Sequence, residues 1–186
     1  YDPAAGCVKI DGINVRDVTL GSLRSRVGVL MQDPFIFKGT IIDNIRYGRP
    51  EATDEECIAA AERIYADRVA KRYPDGFYAK TEEGGEGLSA GEKQLISFAR
   101  MVLKDPSVVI LDEATSSVDS ETEELIREAL EILLKDKTAF IVAHRLSTIR
   151  KADRILYIAD KGIAESGNHE QLLAKKGLYY RLNAGL

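Results

Sequence analysis

The sequence predicts an α/β fold: a mostly parallel sheet with flanking helices, interrupted by a helical insertion. Three observations carry this expectation. Residues 108–111, Val-Val-Ile-Leu, follow Pro106 and run into Asp112 and Glu113, which reads as a parallel strand buried on both faces. Two more apolar runs, residues 27–31 and 138–142, end the same way, at Gln32-Asp33-Pro34 and at Ala143-His144. Between them the apolar residues recur at helical spacing, so the chain reads strand-rich, then helical, then strand–helix–strand.

Residues 7–12 form a short strand ending in an Asp-Gly turn. Residues 18–24 are a short helix, and 27–31 the next strand. Phe35-Ile-Phe37 is a loop or edge piece. Thr40 N-caps a helix with Ile41, Ile42 and Ile45 on one face. Thr53 and Glu56 form a capping box for an alanine-rich helix whose stripe is Ile58, Ala61, Ile64 and Tyr65. A turn at Tyr73-Pro-Asp-Gly76 and a polar glycine-rich loop, residues 81–87, lead to Ser89. Ser89 N-caps a helix to about Leu103, with Leu95, Phe98, Ala99 and Val102 inward. Lys104-Asp-Pro106 ends it. Ser120 caps the next helix, with the stripe Leu125, Ile126, Ala129, Leu130 and Leu133. A buried strand at 138–142, a hairpin at 155–164 and one amphipathic helix over 169–182 complete the chain.

With 186 residues, 45% apolar and 30% charged, the chain has the bulk of a soluble globular core. The net charge of −4 gives no support for a nucleic-acid surface. No apolar run reaches the ~20 residues that cross a bilayer. Cys7 and Cys57 stand apart with no metal-ligand spacing and read as thiols in a reducing compartment. Gly85-Glu-Gly87 lacks the third glycine of a dinucleotide loop, and His169-Glu170 has Leu173 where a zinc motif needs histidine.

Open α/β sheets bind ligands at the carboxyl ends of their strands. Asp112 stands there and suits Mg²⁺ held through water. Glu113 points the other way along an alternating strand and suits a general base on water. Both also fit simple strand capping. His144 and Gln32 end neighbouring strands. The histidine could meet a terminal phosphate and the glutamine a metal or water, or both could be structural. Ser89-Ala-Gly91 opens a helix, where free amides favour phosphate, although many such turns bind only water.

The set has a fixed order. Gln32 follows a strand, Leu88-Ser-Ala-Gly-Glu92 opens a helix, Val108-Val-Ile-Leu-Asp-Glu113 follows, and Ser116-Ser-Val-Asp119 and Val142-Ala-His144 complete it. This resembles the ATP-binding cassette of ABC transporters over essentially the whole chain. The resemblance implies a partial P-loop NTPase core plus a helical signature subdomain. Residues 1–38 and 106–186 would form the RecA-like core, and 39–105 the subdomain carrying the signature. Gln32 matches the Q-loop glutamine, with catalytic and Mg²⁺-contacting roles. Asp112 matches the Walker B aspartate on Mg²⁺, Glu113 the catalytic glutamate, and His144 the switch histidine. Ser89, Ala90, Gly91, Glu92 and Asp119 would meet ATP held by a partner cassette, or the dimer interface. The loop at 81–87 resembles the X-loop of exporters, supported by Phe37-Lys-Gly-Thr40 and Asn44-Ile-Arg-Tyr-Gly48.

The resemblance therefore implies ATP and Mg²⁺ as cofactors. It also implies a second cassette, identical or not, and a transmembrane domain of the same polypeptide, at the cytoplasmic face of the cell membrane. No nucleic-acid partner is expected. Two other readings fit the motifs: a non-transport ABC ATPase of DNA repair or translation, and a non-catalytic dimerisation module. Two departures from the family pattern stand out. Ala90 and Glu92 replace a glycine and a glutamine of the usual signature. No G-x-x-x-x-G-K-[ST] occurs, so Tyr1-Asp-Pro3 reads as a start inside a longer protein, after the phosphate loop, and the chain alone is expected to be inactive.

Overall fold

The computed structural model describes residues 3–112, 120–143 and 149–185. The chain divides into two compact units, Tyr1–Ile141 and Val142–Leu186. In the first, β1 (Lys9–Ile10) and β2 (Ile13–Asn14) form a hairpin about Asp11 and Gly12, both at positive φ. Helix α1 (Leu20–Arg26), capped by Thr19, runs into β3 (Val27–Leu30). β4 (Gly39–Thr40) leads into α2 (Ile41–Arg46), followed by α3 (Asp54–Glu62) and α4 (Asp67–Ala70). β5 (Lys80–Thr81) pairs antiparallel with β4. Helix α5 (Ala90–Lys104) precedes β6 (Val108–Asp112), and α6 (Ser120–Leu134) precedes β7 (Thr138–Val142).

The sheet of the first unit has the order β3–β6–β7. β3 and β6 are parallel, with Gly28 opposite Val109 and Leu30 opposite Leu111. Parallel pairing follows from the long crossover through the helices. The expected burial on both faces is corrected here. Val109 and Leu111 are buried, whereas Val108, Ile110 and Asp112 are half-buried, and Val29 beside Ile110 is exposed. The sheet is thus covered on one face. β7 also departs from the buried strand expected: Thr138, Ala139 and Phe140 are exposed, because this strand is last in the described sheet. Ser120 is the first residue of α6.

Helix α5 is buried on more than the one stripe its spacing predicts. Leu95, Ile96, Phe98, Ala99, Met101 and Leu103 are all buried, since α5 packs against α2 and α3 on one side and against β3 and α6 on the other. Its C-terminus is fixed by Asp105 in the left-handed region and by Lys104, whose Nζ donates to the Val27 carbonyl at 2.9 Å. The helix opened by Thr53 stops at Glu62; Tyr65, placed in its stripe, has φ +64 and lies in the turn beyond.

One polar junction ties these pieces together. Asn44 has no exposed surface although it sits among Ile41, Ile42 and Ile45. Its Oδ1 accepts the Phe37 N–H at 2.9 Å, and its Nδ2 donates to the Phe37 and Thr40 carbonyls and to Thr81 Oγ1 at 2.9–3.0 Å. Thr81 Oγ1 also donates to the Phe37 carbonyl. From α5, Arg100 reaches in, donating to the Asn44 carbonyl and Oδ1 and to the Phe35 carbonyl. Its guanidinium lies 5.5 Å from the Phe37 ring and 5.9 Å from the Tyr47 ring. Burial pushes Arg100 down from the ordinary guanidinium range to about 10, so it stays charged at neutral pH.

The second unit contains β8 (Ile155–Ala159) and β9 (Gly162–Gly167), an antiparallel hairpin turning on Asp160 and Lys161 at positive φ. The single tail helix expected from the stripe is two helices, α7 (His169–Lys175) and α8 (Leu178–Ala184). Lys176 takes φ +52, and the Glu165 carboxylate accepts the Leu178 and Tyr179 N–H groups at 2.6 and 3.0 Å. A carboxylate capping from β9 starts a new helix where periodicity alone saw none. Among the described residues, no helix is long and apolar enough to cross a membrane.

Substitutions at three positions test this packing. Arg100→Ala strands the carbonyls of Asn44 and Phe35 and is expected to cost about 3 kcal/mol in urea unfolding, with Arg100→Lys recovering less than half. At Gly48 a Cβ would be driven into the Arg100 backbone carbonyl, so Gly48→Ala should lose about 2 kcal/mol. Gly21→Ala, on α1 with nothing near its Cβ, should instead gain about 0.5–1 kcal/mol.

Candidate functional site

The site is built at two places in the first unit. The first is the carboxyl edge of the parallel pair. The register sets Leu30 level with Leu111, so Asp112 stands one step past the pair on β6 and Gln32 two steps past it in the segment after β3. Strand alternation puts Asp112 on the same face as Ile110, the face left open. Asp112 is half-buried and Gln32 exposed. Both therefore reach solvent at one edge. Among the described residues, no cluster of three or more histidine, cysteine or acidic side chains exists. Asp112 suits a cation that keeps most of its ligands as water and phosphate oxygen, as Mg²⁺ does. Glu113, Asp119 and His144 lie outside the described residues.

The second place is the turn that opens α5. Ser89 Oγ accepts the Glu92 N–H at 3.2 Å and Glu92 Oε2 accepts the Ser89 N–H at 2.8 Å, a complete capping box. The box uses the amides of Ser89 and Glu92. The first-turn amides of Ala90 and Gly91 remain outside it. Ser89 and Ala90 are exposed, and Gly91 and Glu92 are buried. Ala90 is not among the residues at positive φ, so an alanine sits there without backbone strain. The turn therefore carries an exposed serine and two first-turn amides that the box does not use, a local arrangement suited to an anion.

The loop before the turn is pinned from both sides. Gly84 donates its N–H to the Ile36 carbonyl at 2.8 Å, and its own carbonyl accepts from Lys93 Nζ at 2.7 Å. Gly85, at φ +69, lies so close to the Ile36 side chain and Lys93 that a Cβ would meet both. The segment after Gln32 is thus linked to this loop through Ile36, and to α5 through Arg100. Sequence reasoning missed Asn44, Thr81, Arg100 and Arg72. Asn44 was visible as a polar residue inside an isoleucine stripe. Arg72 and Arg100 had no local signal, because their partners lie 20 and 56 residues away in sequence.

Comparison with known proteins accounts for the arrangement. A family profile described as ABC transporter matches residues 1–116. The chain is 54% identical over 179 residues to an uncharacterized ABC transporter ATP-binding protein, YknV, of Bacillus subtilis (strain 168), covering 96% of this chain and 30% of that protein. It is 48% identical over 182 residues to a fatty acid ABC transporter ATP-binding/permease protein of Mycobacterium tuberculosis (strain CDC 1551 / Oshkosh), covering 98% of this chain and 29% of that one. A bacterial Atm1-family ABC exporter solved with ATP bound superposes with a TM-score of 0.90 at 39% identity, over 99% of this chain and 32% of that chain. The chain spans about a third of the length of the proteins it matches. With Asp112 and Gln32 beyond the carboxyl end of a parallel strand pairing, a capped turn at Ser89 and these relatives, the chain belongs to the ABC transporter family.

Proposed function

We propose that this chain is part of the ATP-hydrolysing cassette of an ABC exporter, coupling ATP binding and hydrolysis to substrate export. The observation that carries the reading is the placement of Asp112 and Gln32 beyond the last residue pair of one parallel strand pair, in a chain whose α5 opens with a capped, exposed serine. Residues 1–38 and 106–186 would belong to the ATPase core, and 39–105 to the helical subdomain. The partners are a second cassette and a transmembrane domain of the same polypeptide, at the cytoplasmic face of the membrane. Mg²⁺, when bound, supplies charge neutralisation at the β- and γ-phosphates.

Asp112 would hold the cation through water, and Gln32 would contact the cation or the attacking water. Glu113 would accept a proton from that water as general base. His144 would hydrogen-bond the γ-phosphate. Ser89 Oγ and the amides of Ala90 and Gly91 would meet the triphosphate carried by the partner, with Asp119 at the dimer interface. The junction at Asn44 and Arg100 gives the Gln32 segment and α5 a shared fixed point, so movement at one is carried to the other.

Two outcomes test this. The 186-residue chain contains no phosphate loop and should release no phosphate from ATP in a coupled assay; turnover abolished by Glu113→Gln would sink that expectation. In a polypeptide joining this chain to a phosphate loop and membrane helices, Glu113→Gln should trap an ATP-bound dimer in size-exclusion chromatography. Hydrolysis by that variant at the parental rate would rule out the general-base assignment.

A further inference from the structure

Glu92 is the one acidic or basic side chain among the buried polar residues described, at 7% exposure. A buried carboxylate is unfavourable unless both oxygens find partners. The capping box satisfies Oε2 through the Ser89 N–H. It leaves Oε1, which accepts from Nη1 of Arg72, in the turn after α4. The usual signature glutamine is neutral and would need no cation at this place.

We propose that Arg72 is a positioning residue for the signature turn. Its guanidinium neutralises Glu92, holds the carboxylate across the helix start, and so fixes the directions of Ser89 Oγ and of the Ala90 and Gly91 amides. The pair is one-sided: the Arg72 side chain is 65% exposed and that of Glu92 9%. A pair exposed at both ends contributes little. Here removal of the cation alone strands a desolvated charge, whereas removal of both charges leaves a neutral capping box that glutamine completes equally well. The role of Arg72 therefore exists only while residue 92 is acidic. That these groups face a nucleotide phosphate rests on the function proposed above; the clamp itself does not.

The test is a double-variant cycle on the 186-residue chain, read by amide hydrogen exchange at residues 89–93 without nucleotide. Arg72→Gln should accelerate exchange there about tenfold. Glu92→Gln and the Arg72→Gln/Glu92→Gln pair should both stay within about threefold of the parent. Arg72→Lys, which keeps the charge, should do the same and serves where Arg72→Gln fails to fold. Unchanged exchange in Arg72→Gln, equal acceleration in the double variant, or loss of protection in Arg72→Lys would each overturn the proposal. Because no nucleotide is present, such a failure strikes the clamp alone, and the Glu113→Gln trapping experiment separately decides the functional reading.

Discussion

Asn44 can neither reach water nor do without hydrogen bonds. Completely buried among three isoleucines, its amide group must be satisfied inside the protein. It accepts and donates along the Phe37 backbone, caps outward to Thr40 and Thr81, and accepts from Arg100. An irregular segment, 35–37, is thereby given the hydrogen bonds that a sheet would otherwise have provided. A leucine of similar volume would pack against the isoleucines but would leave the Phe37 N–H dry. The placement of the segment around Phe37 depends on this one side chain.

Arg100 makes the same constraint reach α5. Its guanidinium has three oxygen acceptors and two aromatic rings as neighbours among the described residues, and its partners carry dipoles in place of a formal charge. A planar fork of donors suits such a set, which a single ammonium would satisfy poorly. Because Arg100 and Ser89 lie on one continuous helix, the fork also sets where the capped turn begins. A helix of this kind transmits position well, since a displaced turn must move the hydrogen-bonded residues below it.

The parts legible in the sequence were those decided by neighbours within four residues. The N-caps at Thr40 and Ser89 and the capping box at Thr53 form as expected, and the structure completes boxes at the first two as well. The strand ending at Asp112 and the parallel α/β order were equally legible, because apolar runs and breakers are local. What could not be read depends on distant partners. The exposure of β7 follows from its place in the sheet, and the break at Lys176 from a carboxylate on β9. Glu92 looked like a substituted signature residue because its partner Arg72 stands twenty residues upstream.

The two described acids of the candidate site are made tolerable in opposite ways, and this bears on what each can do. Asp112 ends a strand on the open face and stays half-buried, so water can solvate it without a protein cation. Its charge remains available to a metal. Glu92 is buried, and both its oxygens are already engaged by Ser89 and Arg72. At a turn proposed to meet a phosphate, an unpaired negative charge at Glu92 would be repulsive. Pairing with Arg72 cancels that repulsion locally. The acidic residue and the arginine are therefore one physical unit: the carboxylate needs the arginine, and glutamine at both positions leaves the turn neutral as well.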